Sequence, residues 1–409
     1  MASSSTAKPV QVFHSGSTLP NVFMGLLLVS LGFVLGMICN ARSPESYLPP
    51  LLHPQPSIAP PPMPPPSPSP SLETACVGPP SPSPAASPST SPAQRTVFAD
   101  FVAPSGGLLH NMTDQELLWR ASMEPRRVDA RIPHDIVPKI AFLFLVTRDL
   151  PLRPLWEKFF AGHQGLYSIY VHARPDYAGS PPTDSLFYGR MIPSQNTTWG
   201  TMNLVDAERR LLGNALLDLA NTRFVLLSES CVPLLGFQAV YAHITASKAS
   251  FVESYDRPVG RLRHVRFFTN HGISLEQWRK GSQWFEMRRD LAIEFVADAW
   301  YINLFKGGHG KNNMEEHYLP TLVTLLGWGA RSQNRTLTNA DWSHGGGAHP
   351  LKYWARDVTV ELIERVRKGE GNCGYNGGVA DFCYLFARKF SPETLGKLLE
   401  LAPKVMGFG

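Results

Sequence analysis

Three short strand-like segments, separated by helix-like segments, limit the folds open to this chain. Residues 139–146 and 224–228 are apolar runs of strand length, and residues 167–172 form a third such segment between them. Apolar runs without polar alternation are typical of strands buried on both faces of a parallel sheet. Segments 150–160 and 204–219 carry apolar residues at helical spacing. The order strand, helix, strand, helix, strand predicts an α/β fold with a parallel sheet.

Polar residues follow each predicted strand, at the edge where open α/β sheets bind ligands. They are Thr147-Arg148, His172-Ala173-Arg174 and Ser228-Glu229-Ser230. No Gly-x-Gly-x-x-Gly sequence and no P-loop follows the first strand. A dinucleotide-binding fold and a nucleoside triphosphatase are therefore disfavoured.

The N-terminal part of the chain has the organisation of a membrane anchor and a stem. Residues 22–39 are an uncharged apolar run, near the lower length limit for spanning a bilayer. They predict a retained signal anchor after a cytoplasmic tail at 1–21, with a cleaved signal peptide as the competing interpretation. The Pro- and Ser-rich residues 40–94 cannot bury a core and predict a disordered, extended stem. A lead-in segment at 95–137 would then precede a lumenal domain at 138–409.

Charge and cysteine spacing exclude two other classes of site. The net charge of +5 and the pI of about 8.9 are only mildly basic, and no Lys/Arg run or RNA-binding spacing predicts a nucleic-acid partner. The five cysteines include no Cys-x-x-Cys pair, which disfavours a structural zinc site. Cys231 lies in an apolar segment and is interpreted as a small buried side chain.

Two weaker patterns agree with a lumenal domain. Asn111, Asn196 and Asn334 each begin an N-glycosylation acceptor sequence, although chance alone supplies one or two in a chain of this length. Cys373 and Cys383 would close a small disulfide loop if the compartment is oxidising.

Two adjacent carboxylates and a histidine, Glu315-Glu316-His317, stand directly before an apolar run. Acids are favoured at a helix N-terminus by the unpaired N–H groups and the helix dipole, which is one sufficient explanation. The other is that one carboxylate is the general base of an enzyme. Aromatic residues near charged residues, such as Trp278 and Trp284, are typical of sugar sites, although any single ring is more often part of a core.

Four segments together resemble the core-2/I-branching β-1,6-N-acetylglucosaminyltransferase family, and most closely its plant branch of brittle-culm-type membrane proteins. They are residues 227–234, 278–285, 315–317 and 386–390. The resemblance, which runs from about residue 138 to 400, implies a GT-A-type glycosyltransferase fold: a Rossmann-like mixed sheet flanked by helices. It also implies a UDP-sugar donor, inversion at the anomeric carbon and catalysis without a divalent metal. Metal-dependent GT-A enzymes use an Asp-x-Asp pair, and this sequence contains none.

The resemblance also implies the roles of individual residues. Glu316, with Glu315 beside it, takes the place of the base that deprotonates the acceptor hydroxyl. Lys389 takes the place of a cation that neutralises the diphosphate. Its arginine partner stays open among three candidates, Arg365, Arg367 and Arg388.

Further residues are assigned to the two substrates by the same resemblance. The donor side includes Val146 and Trp199, and the acceptor side includes Glu253, Arg261 and Trp342. One departure concerns the nucleotide: animal members of the family have an acid where this chain has Arg174. Nucleotide recognition there must therefore differ.

The expected function is that of a Golgi type II membrane glycosyltransferase of plant cell-wall type. It would transfer a GlcNAc-type sugar from a UDP-sugar to a glycan or glycoprotein, with no cofactor and no metal. The alternative is a non-catalytic glycan-binding or scaffolding protein with the same fold, which the Arg174 departure favours. A glycoside hydrolase using Glu315 and Glu316 is disfavoured, because neighbouring helical residues point about 100° apart rather than across one bond.

Overall fold

The computed structural model describes residues 108–126, 136–307, 313–343 and 349–409. The predicted tail, anchor and stem, and part of the lead-in segment, lie outside these described residues. None of the described helices is both long enough and apolar enough to cross a membrane.

Three parallel strands form the centre of the domain, which confirms the predicted strand order. They are β1 (Lys139–Leu145), β2 (Tyr167–His172) and β3 (Asn221–Ser228), with β1 between the other two. Leu145 is in register with both His172 and Ser228, so all three strands end at one level. The polar residues that follow them are therefore neighbours along one edge.

The sheet continues beyond β3 with antiparallel pairing, so it is mixed rather than parallel throughout. β6 (Glu286–Arg288) runs antiparallel to β3, and β5 (Ser250–Phe251) runs antiparallel to β6. β7 (Ser332–Gln333) forms the last strand in the order β2-β1-β3-β6-β5-β7. This arrangement fits a glycosyltransferase fold.

A second, three-stranded sheet brings the C-terminal part of the chain to the same edge. β11 (Phe386–Arg388) pairs antiparallel with β4 (Val232–Pro233), which directly follows the turn after β3, and parallel with β8 (Thr338–Ala340). A separate hairpin joins β9 (Gly374–Tyr375) to β10 (Gly378–Val379).

Helices cover the sheet and enclose three buried apolar clusters. In the described residues they are α1 (Asp114–Ser122), α2 (Arg153–Phe160), α3 (Asn203–Leu216), α4 (Phe237–Ala246), α5 (Pro258–Arg261), α6 (Arg266–Asn270), α7 (Arg289–Ala297), α8 (Tyr301–Lys306), α9 (Glu315–Leu325), α10 (Val360–Lys368) and α11 (Leu395–Leu401). The helix predicted from residue 150 begins only at Arg153, with Pro154 in its first turn, where its missing N–H costs nothing.

The aromatic residues Trp278 and Trp284 belong to the core. Both are buried, and Trp278 stacks on Phe305 with ring centroids 5.3 Å apart. Their interpretation as core residues is therefore confirmed, and the idea that they stack on a sugar is wrong.

A buried ion pair holds the junction between the parallel and antiparallel parts of the sheet. Arg223 on β3 donates two hydrogen bonds to the Glu286 carboxylate on β6, at 2.7 and 2.9 Å. The same guanidinium donates to the carbonyl oxygens of Ser247 and Ala249, so all three of its nitrogen atoms form hydrogen bonds. The cost of removing two charges from water offsets much of the attraction within such a pair, so its net contribution to stability is small, whereas breaking it leaves one buried charge unpaired.

Replacing only one residue of the pair should reveal the free-energy cost of leaving a charge buried without a counter-charge. Arg223→Met should lower the free energy of unfolding by about 3–5 kcal/mol, because it leaves the Glu286 carboxylate buried without a counter-charge. Arg223→Met/Glu286→Leu should recover most of that loss. Chemical denaturation of the purified protein measures both, and a double variant no more stable than the single one would contradict the explanation.

Candidate active site

The carboxylates of Glu315 and Glu316 occupy the first turn of α9, but they have different surroundings. α9 begins at Glu315, so the segment is a helix N-terminus, where acids are favoured. Glu315 is 9% exposed, whereas the Glu316 side chain is 30% exposed. Of the two, Glu316 is the carboxylate that a substrate can reach.

The two oxygens of Glu316 differ in their contacts. Oε2 accepts hydrogen bonds from Arg263 Nη1, at 3.0 Å, and from Lys280 Nζ. Oε1 has no hydrogen-bond partner among the described residues. Because a carboxylate offers about four lone-pair directions, the two cations orient the group and leave one oxygen free to accept the proton of a hydroxyl.

Glu315 is one of two buried acids behind this turn. Its Oε2 atom is buried without a hydrogen-bond partner in the described residues, and burial, with the nearby charge of Glu316, raises its pKa to about 7. Glu208 on α3 is buried and accepts a hydrogen bond from Gln283 at 2.8 Å. Burial raises the pKa of Glu208 to about 8, and the Glu315 charge adds to the shift.

His317 and Trp278 pack together on the buried side of the first turn of α9. The buried His317 donates from Nδ1 to the Arg279 carbonyl oxygen at 2.7 Å, and its ring stacks on Trp278 at 4.8 Å. Burial lowers the His317 pKa to about 4, so the imidazole is neutral near pH 7. The neutral histidine therefore positions the helix start through its hydrogen bond to the Arg279 carbonyl oxygen and has no extra proton to give to a substrate.

The segment Lys280–Ser282 joins Glu253 to Glu316. The Ser282 amide donates to Glu253 Oε2, and the Gly281 amide donates to the Glu316 carbonyl oxygen, each at 3.0 Å. A Cβ at Gly281 would lie 2.1 Å from the Glu253 carbonyl oxygen, so only glycine fits this approach. The predicted base and the predicted acceptor carboxylate are thus placed by one short stretch of backbone.

The basic pair Arg388-Lys389 lies at the end of β11, beside the edge of the central sheet. The Phe390 amide donates to the Ser230 carbonyl oxygen at 3.0 Å, which places Lys389 beside the turn after β3. The Arg388 guanidinium lies 4.1 Å from the centre of the Trp284 ring. Burial lowers the pKa of Lys389, and the Arg388 charge lowers it further.

Arg388 is the candidate partner that the fold places next to Lys389. Arg365 and Arg367 lie on α10, and Arg367 donates to the Val405 carbonyl oxygen at 3.0 Å. Glu229, which follows β3, accepts a hydrogen bond from Thr147 at 3.4 Å. Its charge favours the protonated form of both basic residues, against the larger effect of burial on their pKa values.

A series of contacts connects the helix start that carries the candidate base Glu316 to the basic pair Arg388-Lys389. The Asn313 amide, just before α9, donates to the Gly200 carbonyl oxygen at 2.9 Å. The neighbouring Trp199 is 59% exposed, and its ring centre lies 5.3 Å from that of His349. His349 Nδ1 lies 3.4 Å from Lys389 Nζ. These contacts connect Trp199, a residue predicted for the donor side, to the segment before α9 and, through His349, to Lys389.

The other two predicted acceptor residues lie at the surface. Arg261 forms a surface ion pair with Asp256, with one hydrogen bond of 2.6 Å. Trp342 is exposed and lies two residues beyond Ala340, which is in register with Arg388. Its backbone position is therefore near the basic pair.

Val146 lies at the wall of a small, shallow cleft beyond β1 and β2. The cleft is lined by Val146, Arg148, Asp149, Leu150, Arg153, Val171, Tyr177, Pro181, Phe187 and Met191. Arg174, which replaces the family's acid, is bound to Asp176 by hydrogen bonds of 3.0 and 3.2 Å. The charge of Arg174 is therefore paired with an acid two residues away.

The predicted glycosylation sites lie at the surface, and the predicted cysteine pair forms a disulfide. Asn111, Asn196 and Asn334 are exposed, and the Asn334 side-chain oxygen accepts from the Ser254 amide at 2.6 Å. Cys373 and Cys383 form a disulfide with Cα atoms 5.4 Å apart. Cys231 is a free, buried thiol.

Asp206 and Glu208, the nearest acidic pair to a metal-binding motif, separate in the fold. Asp206 binds Lys306 at 2.8 Å, whereas Glu208 is buried against Gln283. Across the described ranges, no group of three or more His, Cys, Asp or Glu side chains is placed to hold a metal ion.

Sequence reasoning did not assign several residues that the structure brings to the site: Arg263, Lys280, Glu208 and His349. Lys280 lies inside the segment 278–285 that carried the family resemblance, which was the one available signal. Arg263 and Glu208 are distant from α9 in the chain, so only tertiary contacts show that they face it.

The buried acid behind the site gives a stability test. Because the pKa of Glu208 is raised in the folded protein, folding favours its protonated side chain. Its contribution to the free energy of unfolding is fully present below about pH 4.5 and is lost as the pH rises towards 8. Glu208→Gln removes this titration and can keep the hydrogen bond to Gln283. Between pH 5 and pH 8 the variant should therefore gain about 1–3 kcal/mol of unfolding free energy relative to the unmodified protein. Urea denaturation across this range measures the difference, and a difference independent of pH would contradict it.

Comparison with known proteins agrees with this geometry. A family model described as "Branch: Core-2/I-Branching enzyme" matches residues 140–367, more than half of the chain. The chain is also similar to a rice protein (Oryza sativa subsp. japonica) described as glycosyltransferase BC10. The two are 32% identical over 309 residues, which cover 64% of this chain and 76% of the rice protein.

Proposed function

This chain belongs to the core-2/I-branching enzyme family, and from that membership and the site geometry we propose that it is a metal-independent, inverting glycosyltransferase. The donor is a UDP-sugar of GlcNAc type, and the acceptor is a glycan or glycoprotein. The observation that carries the proposal is the Glu316 carboxylate. Arg263 and Lys280 hold its Oε2 atom, and its Oε1 atom has no hydrogen-bond partner among the described residues.

The chemistry needs one base and one site for the leaving group. The acceptor oxygen attacks the anomeric carbon of the donor while Glu316 Oε1 takes the hydroxyl proton. The bond between that carbon and the diphosphate oxygen breaks, and UDP leaves with the bonding electrons. Lys389 and Arg388 stabilise the negative charge that develops on the diphosphate, which is the role a divalent metal has in other enzymes.

Glu315 supports the site without meeting the substrate in this proposal. It is buried and its pKa is raised to about 7, so near neutrality part of the population carries a neutral side chain. Its neighbour, on the open side of the helix start, has the access that a base requires.

The placement in the cell is proposed from the sequence. The apolar run at 22–39, the stem at 40–94 and the three glycosylation acceptor sequences support a Golgi type II membrane protein with a lumenal catalytic domain. A cell-wall glycan is the corresponding acceptor class.

Substitution of the base gives the first functional test. Glu316→Gln should lower kcat for transfer from a UDP-sugar by about 100-fold or more, since the amide cannot take the proton. Glu315→Gln, a matched change one residue away, should lower kcat less than about tenfold, because that side chain is buried. Steady-state assays with UDP-GlcNAc compare the two, and equal losses would remove the distinction between these residues.

Lys389, the cation proposed to stabilise the diphosphate leaving group, gives a second functional test. Lys389→Ala should lower kcat/KM for the UDP-sugar by about 10- to 100-fold, because a charge-assisted contact with the diphosphate is lost. Lys397→Ala, which removes an exposed lysine bound to Glu400, should change it little. Both assays are done in excess EDTA, where the unmodified protein should keep its full rate.

Loss of transfer in EDTA would overturn the metal-independent mechanism. Calorimetric titration with UDP separates the alternative function, a non-catalytic glycan-binding protein, which the Arg174–Asp176 pair favours. A protein without measurable affinity for UDP would have that alternative function.

A further inference from the structure

The rim of the site on the acceptor side carries an excess of positive charge. Residues 253–282 contain six Lys or Arg residues against three Asp or Glu residues, whereas the whole chain has a net charge of only +5. The segment is local in space as well as in sequence, because Lys280 and Tyr255 exchange two backbone hydrogen bonds, of 2.8 and 2.9 Å.

Four of these cations form what we call the acceptor-side basic surface: Arg257, Arg263, Arg279 and Lys280. Arg263 and Lys280 contact the proposed base, and Arg257 and Arg279 are close to Lys280 in the paired backbone of residues 255 and 280. Two of them, Arg263 and Lys280, share the single carboxylate of Glu316. Both approach its Oε2 atom, so one acid meets two cations.

The other two cations have no carboxylate within ion-pair distance among the described residues. The Arg257 guanidinium lies over the Tyr255 ring, 4.6 Å from its centre. Arg279 donates to the carbonyl oxygens of Glu276 and Trp278, at 2.6 and 2.9 Å. Carbonyl oxygens and an aromatic face orient a guanidinium without neutralising its charge.

Nearby acids do not balance this charge. Asp256 is bound by Arg261. Glu253 is half-buried, and its Oε2 atom accepts a hydrogen bond from the Ser282 amide at 3.0 Å. The surface therefore keeps a net positive potential at the place where an acceptor must approach Glu316.

We propose that the acceptor is an acidic glycan, in which a sugar carboxylate next to the reacting hydroxyl binds Arg257 and Arg279. A neutral glycan is held through its hydroxyl groups, which need no excess of cations. Guanidinium groups match the planar geometry of a carboxylate, and a positive rim raises the local concentration of an anionic substrate. This inference rests on the proposed function, because it takes Glu316 as the base.

Two polysaccharides that differ in charge test the proposal. Polygalacturonate and its fully methyl-esterified, uncharged form are titrated against the full-length protein in detergent with UDP present. The acidic polymer should bind at least about tenfold more tightly at about 20 mM NaCl, and the preference should shrink at about 300 mM NaCl, where charges are screened. Equal binding of the two polymers would overturn the proposal.

Matched variants locate the effect. Arg257→Gln/Arg279→Gln should reduce the preference for the acidic polymer to less than about threefold, while the affinity for the esterified polymer stays the same. Arg120→Gln/Lys368→Gln removes the same charge from helices α1 and α10 and should keep the preference. If this control pair loses the preference equally, the effect is one of overall charge and the assigned surface is wrong.

A separate measurement distinguishes failure of this inference from failure of the glycosyltransferase proposal. Calorimetric titration with UDP alone should give the same affinity in the site variant and in the unmodified protein. Absence of UDP binding would reject the glycosyltransferase proposal, whereas intact UDP binding with no preference for acidic glycans would reject only this inference.

Discussion

The pairing of β11 with β4 is the contact on which the candidate site depends. β4 follows the turn after β3, at the edge where three parallel strands end in register, and β11 carries Arg388 at its end, directly before Lys389. The buried side chain of Phe386 ties β11 to the apolar cluster below the central sheet. Cations from the last part of the chain therefore reach the same edge as residues that follow the first strands.

A second constraint is the close backbone contact around Gly281. Its amide holds the start of α9, and its missing side chain lets the backbone approach the Glu253 carbonyl oxygen. The adjacent Lys280 projects to the Glu316 carboxylate. One glycine thus couples the acceptor side, the base and one of the cations that orient it.

The site combines two opposite electrostatic environments within a few residues. Glu316 is half-exposed and bound by two cations, whereas Glu315 and Glu208 are buried acids whose pKa values are raised by the loss of solvation. Two cations hold the Glu316 carboxylate by one oxygen, whereas burial outweighs the nearby charges of Arg263 and Lys280 in raising the pKa of Glu315. The different surroundings of the adjacent glutamates follow from which side of the helix start each one faces.

Local patterns in the sequence were enough for the strand order, the buried nature of the central strands and the helix start at Glu315, because they depend on the spacing of apolar and acidic residues. Family-like segments also singled out Glu316 and Lys389 as the candidate base and the candidate diphosphate-binding cation. The contacts of Arg263, Lys280 and His349, the burial of Glu208 and the pairing of Arg174 with Asp176 join segments whose meeting no local pattern encodes. Only the tertiary structure decided these, since solvation and charge at a side chain are set by what packs around it in space.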